Sequence, residues 1–474
     1  MIKRYKPTKD NTITDAFGEN LSTRGTGSNM GLSDIIEVFS IYGQVSSSAG
    51  FSSEEARILI EFDMDEVQDD INNGVLDSNA KFFLRLFNAE HGRTLPRNYT
   101  LEVQSISGSW QEGLGLDMED YSDLTYGYGS SWVSSQDSDT WVTEGGDFYG
   151  TPTSTSDLFE IGTEDLEIDV TDHVTEWLEN GRDNHGLAIK LPSSLSSQTR
   201  SFYTKMFFAR GSQHFHKRPV LEARWNSQIK DQRVSFFASS SLAPADDNLN
   251  TLYLYNYHRG ALADIPAIGQ GEIYVDLYDT IGGDALAQCT DTPATGGWVS
   301  TGIYTASVCL ETTGSELYDV WWSGSVQYHT GTIEVEQAEA LTTPPLSDLV
   351  ISCTNDQGAY RNNQTSRFHF FIREKDWSPN IYVASPPTPK TKVFDNLMFK
   401  ISKVITDEVI FDYDTTNLST TLSYDSNGNY FDLDISMLEP NYVYEIELAL
   451  FNVMTKSYQV LPFKHRFRVV NNEY

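Results

Sequence analysis

A chain of 474 residues exceeds the roughly 250–300 residues that one hydrophobic core serves, so about three domains are expected. An apolar share of 39% and an aromatic share of 12% supply enough buried surface for folded domains and exclude wholesale disorder. The formal charge of −34, from 33 basic and 67 acidic residues spread along the chain, repels phosphate backbones. Nucleic acid and anionic membrane are thereby excluded as partners, whereas divalent cations, basic protein surfaces and neutral glycans remain open.

The opening segment breaks the acidic trend, because Lys3, Arg4, Lys6 and Lys9 meet only Asp10. These four residues are a candidate assembly arm that docks on an acidic neighbour; a solvated terminus is the plainer alternative. Residues 1–49 are read as this arm with the first strands. Met1 to Asp10 lacks the apolar region of a secretory signal, and no apolar run approaches the ~18 residues of a membrane span. The expectation is a soluble protein made in a cytoplasm, without membrane insertion.

From 50 to 225 short alternating runs predict a β-sandwich. Ile58, Ile60 and Phe62 share one face of a strand over Arg57 to Asp63, and Phe82, Leu84 and Leu86 share one face of the next. Further strands are expected at Tyr99 to Ile106, Leu187 to Leu191 and Val220 to Trp225. One short helix is expected over Val170 to Asn180, with Thr171 capping, Val174, Trp177 and Leu178 on one side, and Gly181 as the stop. The region 226–345, with runs at Leu252 to Tyr257, Ile273 to Tyr278, Gly302 to Leu310, Leu317 to Trp322 and Thr332 to Glu336, suits an immunoglobulin-like sandwich. Thr342 to Pro345 reads as a linker. The region 346–474 repeats the style as a C-terminal β-sandwich, with Ala384 to Lys390 as a proline-rich extended loop. Cys289, Cys309 and Cys353, odd in number and widely spaced, read as neither a disulfide framework nor a zinc knuckle, which fits a reduced compartment.

No hydrolase elbow, zinc-protease helix or phosphate-binding loop occurs, and Gly25 to Gly31 reads as a plain loop. Glu112 and Asp117 beside Trp110 are the least poor pair of acids for glycoside chemistry, but a polar turn beside a core tryptophan explains them better. His214-Phe215-His216 places two imidazoles on one strand face, with surface histidines as the plainer reading. Asp425 to Asn429 reads as a tight hairpin turn in preference to a calcium loop. No catalytic, metal or cofactor residue is assigned. Glycan binding needs exposed aromatic faces beside carboxylates, and Trp110 to Trp141 offers that mixture. Asp117, Glu119, Tyr121, Asp123, Tyr126 and Tyr128 are the candidate glycan or interface surface; the alternative is that the tryptophans pack inside while the tyrosines face a neighbouring subunit.

The block Asp169-Val170-Thr171, Val174, Trp177, Gly181, Asn184 and Gly186 to Ile189 resembles the signature of the DNRLRE domain. Arg57 to Asp63, Ala80 to Leu86, Ser109 to Gly113, Ser131-Trp132 and Gly145-Gly146-Asp147 match it in the same order. The match departs at Phe207 to Gly211, where the family commonly carries a serine and an acid. The resemblance implies a binding fold, with carbohydrate among the ligands of some relatives. The whole chain, including Thr12 to Phe17, Leu21 to Gly27, Ser239 to Tyr257 and Leu438 to Leu450, also resembles virion structural proteins of tailed phages from marine bacteria.

The expected protein is therefore all-β, with jelly-roll and immunoglobulin-like sandwiches in series, and not an enzyme. The resemblances imply a decoration, neck or tail-associated subunit of a phage virion, in multi-copy contact with other virion proteins. A carbohydrate-binding receptor-recognition protein, meeting host glycans, is the alternative.

Overall fold

A computed structural model describes residues 1–18, 22–44, 51–90, 95–116, 128–198, 200–244, 246–289, 291–336, 349–375, 390–452 and 456–471. The proposed linker at 342–345 and the proline-rich stretch at 384–389 lie outside these residues. The chain divides into two compact units, Ile2–Trp225 and Asn226–Tyr474 with Met1.

The first unit holds strands β1 (Ile2–Tyr5), β2 (Pro7–Thr14), β3 (Ile35–Gln44), β4 (Phe51–Phe62), β5 (Lys81–Leu86), β6 (Glu102–Ile106), β7 (Phe148–Thr155), β8 (Leu166–Asp169), β9 (Leu187–Lys190), β10 (Phe202–Phe208) and β11 (Val220–Arg224). One sheet runs β1-β11-β5-β8; the other runs β10-β3-β4-β9-β6-β7, with β2 also paired to β4. Alternation explains the burial. Phe82, Leu84 and Leu86 are buried along β5 while Lys81 is exposed and Phe83 and Arg85 are half-buried. Strand β4 differs, since Leu59 is buried as deeply as Ile58 and Ile60. Its second face is covered as well: Leu59, Ile13, Ile106 and Ala188 form a cluster with Trp110, Trp132 and Trp141.

Helix α1 (Met64–Asn72) starts where Asp63 accepts from the Asp65 N–H, and α2 (Thr171–Leu178) buries His173, Val174 and Trp177. The cap of α2 is built otherwise than expected. Asp169 Oδ1 accepts from the Thr171 N–H, and Thr171 Oγ1 instead accepts from Phe82 N on β5. The hydroxyl ties the helix to the neighbouring strand.

The first 14 residues are not a free arm. They form β1 and β2, and their cations are matched within the same unit: Lys3 with Asp70, Arg4 with Glu222 at 2.6 Å and Lys9 with Glu61 at 2.8 Å, while Lys6 lies over the Phe215 ring at 4.3 Å. Backbone pairing to β11 and β4, which no local sequence pattern encodes, draws this segment into the sheets. The described part of residues 1–49 thus contributes strands β1, β2 and β3 to the sandwich, and its first residues are not a separate arm.

The second unit begins with β12 (Phe236–Phe237), β13 (Asn250–Tyr255), the small pair β14 (Tyr257–His258) and β15 (Ala261–Leu262), then β16 (Ile273–Tyr278), β17 (Ala294–Ser300), β18 (Ile303–Val308), β19 (Glu316–Ser323) and β20 (Val326–Glu336). The sheet order is β12-β20-β19-β16-β17-β18-β13. Strand β12 runs parallel to β20, and every other pairing is antiparallel. The two ends of this order meet, because the Asn250 carboxamide accepts from Phe237 N and donates to Phe237 O. The inner face is one core, with Leu252, Leu254, Val275, Tyr304, Trp321 and Ile333 buried.

The C-terminal sandwich has β21 (Leu349–Cys353), β22 (Ala359–Arg361), β23 (Thr365–Glu374), β24 (Leu397–Lys403), β25 (Glu408–Phe411), β26 (Ser423–Asp425), β27 (Gly428–Asp434), β28 (Val443–Asn452) and β29 (Ser457–Val470). Its sheets run β21-β23-β27-β26 and β22-β29-β28-β24-β25. This is the strand order of an immunoglobulin-like sandwich, including a first strand split between the sheets and parallel to the last. Stacking of Phe399 on Phe431 at 4.0 Å and contact of Phe368 with Phe467 at 5.1 Å join the two sheets. Tyr444 Oη donates to the Glu439 carbonyl, a tyrosine corner at the start of β28.

Cys289 and Cys309 are joined as a disulfide, against the expectation that the cysteines form none. The segment between them, at a sequence separation of 20, contains the β17–β18 hairpin, which returns the chain to its starting point and brings the Cα atoms to 5.4 Å. Cys353 is a free thiol.

Candidate functional site

Of the predicted glycan or interface surface, Asp117, Glu119, Tyr121, Asp123 and Tyr126 lie outside the described residues, and Tyr128 is exposed. The tryptophans around them are buried, so their faces are closed to a sugar. Trp110 Nε1 donates to His185 O, and Trp141 Nε1 donates to Ser131 O. Glu112 is held by two bonds to Arg210 at 2.6 and 2.5 Å, so it serves as an anchor for the loop that follows. His216 lies on a 3-10 turn, Phe215–Lys217, which His214 precedes as the N-cap, and neither is on a strand. Asp425 and Gly428 close a two-residue hairpin between β26 and β27. Gly428 has φ +122°, and a Cβ there would stand 2.4 Å from Phe370 O. Among the described residues no group of three or more His, Cys, Asp or Glu is placed to hold a metal ion.

A concavity lies elsewhere, in the second unit, where its two sandwiches meet. The segment Gln228 to Asp231 adds to the edge of β26: Tyr424 N donates to Ile229 O at 2.9 Å, Asp231 N donates to Tyr424 O at 3.2 Å, and Ile229 N donates to Ser423 Oγ. This strand addition fixes the junction. A cavity of about 410 Å³ lies beside it, with Asp231, Tyr255, Tyr257, Arg367, Asp425 and Asn427 in its wall.

Each wall follows from strand period. In β13 Leu252 and Leu254 point inward, so Tyr253 and Tyr255 point outward, with rings 6.5 Å apart and tilted by 29°. Tyr257 continues the row and is 57% exposed. Asp231 accepts from the Arg233 N–H at the start of a 3-10 turn. Arg233 turns to Asp319 at 2.6 Å, and Asp319 also accepts from Trp321 Nε1. Gly331 makes room for that guanidinium, since a Cβ would come within 2.1 Å of Arg233 Nη1. Arg367 is paired twice to Asp432 at 2.8 Å and lies 4.1 Å over the Tyr430 ring.

Both arginines are therefore matched, while Asp231 and Asp425 add two carboxylates without a cationic side chain bonded to either. Burial, assisted by the charge of Asp425 and opposed by Arg233, pushes Asp231 up to about 6. Asp425 accepts from the Asn427 N–H at 2.7 Å, and His369 Nε2 stands 3.8 Å from it. Burial lowers the pKa of both His369 and His329, which keeps the imidazoles neutral near pH 7. The site can stack and accept hydrogen bonds. It offers no activated nucleophile.

No family model matches the chain, and no curated protein matches it. Among solved structures it is similar to the N-terminal Ig1-2 module of the Drosophila receptor protein tyrosine phosphatase DLAR, at 10% identity over 48% of this chain and 91% of that one, TM-score 0.15. It is similar to the Yersinia pseudotuberculosis adhesin InvE at 15% identity over 48% and 61%, TM-score 0.14. Trypsin-activated alpha-2-macroglobulin from Escherichia coli shares 9% identity over 89% and 23%, TM-score 0.16. Likenesses so distant carry no functional argument, and the strand order itself defines the class. The chain is an all-β protein of sandwich domains in series, its last two immunoglobulin-like.

Proposed function

We propose that this chain is a non-enzymatic structural protein of a phage virion, a decoration, neck or tail-associated subunit that works through contacts with other virion proteins. The observation that supports a contact role over chemistry is the junction cleft, where Arg233 and Arg367 are already neutralised by Asp319 and Asp432 and tyrosine faces remain accessible. Tyrosines at a partly open surface are the residues that protein interfaces favour. The net charge of −34 and the resemblance to marine phage structural proteins support partners among virion components. Mass spectrometry of purified particles tests this: the chain is expected at a fixed copy number relative to capsid protein, and its absence from particles overturns the reading.

The alternative, recognition of a host glycan, is favoured by the row Tyr253, Tyr255 and Tyr257 beside carboxylates that can accept hydroxyl protons. A glycan array with the purified full chain separates the two readings, because a saturable sugar signal lost in Tyr257→Ala belongs to the second alone.

A further inference from the structure

We infer that the junction cleft of the second unit is a receptor for a cationic side chain, an arginine or lysine presented by a protein partner. The inference rests on the protein-contact reading and gives that contact its chemistry.

Three observations converge. The first is charge: the groups in and directly behind the cleft are Asp231, Asp319, Asp425 and Asp432 against Arg233 and Arg367, so the site keeps an excess of two carboxylates. His329 and His369, which face it from β20 and β23, are neutral near pH 7 and do not cancel that excess. The second is the aromatic row on β13 and β14. A guanidinium or ammonium gains over a tyrosine face, and gains more where the site is partly desolvated. The cleft already contains this interaction in its own chain, since Arg367 lies 4.1 Å over Tyr430. The third is construction. Strand addition of Gln228 to Asp231 onto β26 and the Asp425–Gly428 hairpin hold the two carboxylates on fixed backbone, each braced by a backbone N–H. A preformed site avoids the cost of ordering its groups at the moment of binding. A neutral sugar would use the rings but leave the surplus charge uncompensated, and an anion would be repelled.

Asp231, held near 6 by burial, makes the contact sensitive to acid: protonation removes one of the two surplus charges, so cation affinity falls as pH drops through that value.

The test uses the full chain, a fluorescein-labelled peptide of otherwise uncharged residues carrying two arginines, and the same peptide with citrulline in their place, followed by fluorescence anisotropy at physiological ionic strength. The arginine peptide is expected to bind at least about tenfold more tightly than the citrulline peptide. Asp425→Asn and Tyr257→Leu should each weaken it by about fivefold or more, whereas Asp284→Asn, an exposed acid elsewhere on the same unit, leaves it unchanged. Tyr257 is exposed, so its variant keeps the fold, and circular dichroism checks this. Equal binding of both peptides, or cleft variants that bind like the parent, overturns the inference. Maltohexaose that binds and responds to the same variants while the arginine peptide does not also overturns it. Incorporation into particles is read separately: a chain found in virions that ignores the arginine peptide defeats this inference and leaves the proposed function standing.

Discussion

The two units use aromatic residues in opposite ways. In the first, Trp110, Trp132 and Trp141 close over the second face of β4 and β9, so a sheet that looks two-sided from its alternation is buried on both sides. In the second, Tyr253 and Tyr255 stand on the outer side of β13, whose inner side buries Asn250, Leu252 and Leu254, Tyr257 follows on β14, and the three residues border a cleft. Charges follow the same division. Lys205 of the first unit is fully buried, with its ammonium saturated by Asn88 Oδ1, Gly162 O and Glu164 O at 2.6 to 2.9 Å. Asp231 and Asp425 of the second are braced by backbone N–H groups. Full internal satisfaction marks a structural group, and incomplete satisfaction beside a cavity marks a binding group.

The largest test of this contrast is Trp110→Ala, which should destabilise the first unit by about 3 to 5 kcal/mol in urea unfolding of the full chain, because it opens a cavity against β4 and frees the His185 carbonyl. Trp177→Ala on α2 is expected in the same range. A midpoint unchanged by either would mean that these tryptophans cover nothing.

Lys205→Ala should cost about 3 kcal/mol, since it strands three acceptors in a buried site. Arginine or lysine added to the buffer does not rescue it, in contrast to the ligand response expected of the cleft.

Acid should then act on His173. Burial lowers its pKa to about 4, against the charges of Asp169 and Asp172 and with that of Arg182, and Ser105 Oγ lies 2.7 Å from its Nδ1. The unfolded chain binds the proton first as pH falls, so His173 contributes stability above about 6.5 that is lost progressively down to about 4, amounting to about 3 kcal/mol. Asp10, raised to about 7 by burial, acts in the opposite sense, because the folded state takes up its proton first. The His173→Asn variant is therefore compared with the parent at each pH, and a gap that does not change between pH 7.5 and 4.5 refutes the assignment.

The smallest effect belongs to the second unit. Tyr257→Ala should change stability by less than about 0.5 kcal/mol, as an exposed ring over a cleft supports no core. A loss as large as that of Trp110→Ala would erase the distinction between the two units.

Much of this was readable from residue order. The alternation in β4 and β5, the helix around Trp177 and the Asp425 to Asn429 hairpin were each legible, because strand period, helix period and turn chemistry act over a few neighbouring residues. The tyrosine row was visible in the same way in Thr251-Leu252-Tyr253-Leu254-Tyr255-Asn256-Tyr257, although its significance was not. Tertiary structure alone decided that the basic first residues are strands with internal partners, that the tryptophans face inward, and that Cys289 meets Cys309. It also decided the cleft, which gathers residues from five separate stretches of the second unit around 231, 255, 329, 367 and 425. Local periodicity says which face a side chain occupies, but not what stands opposite that face, because the opposing surface is supplied by segments tens to hundreds of residues away.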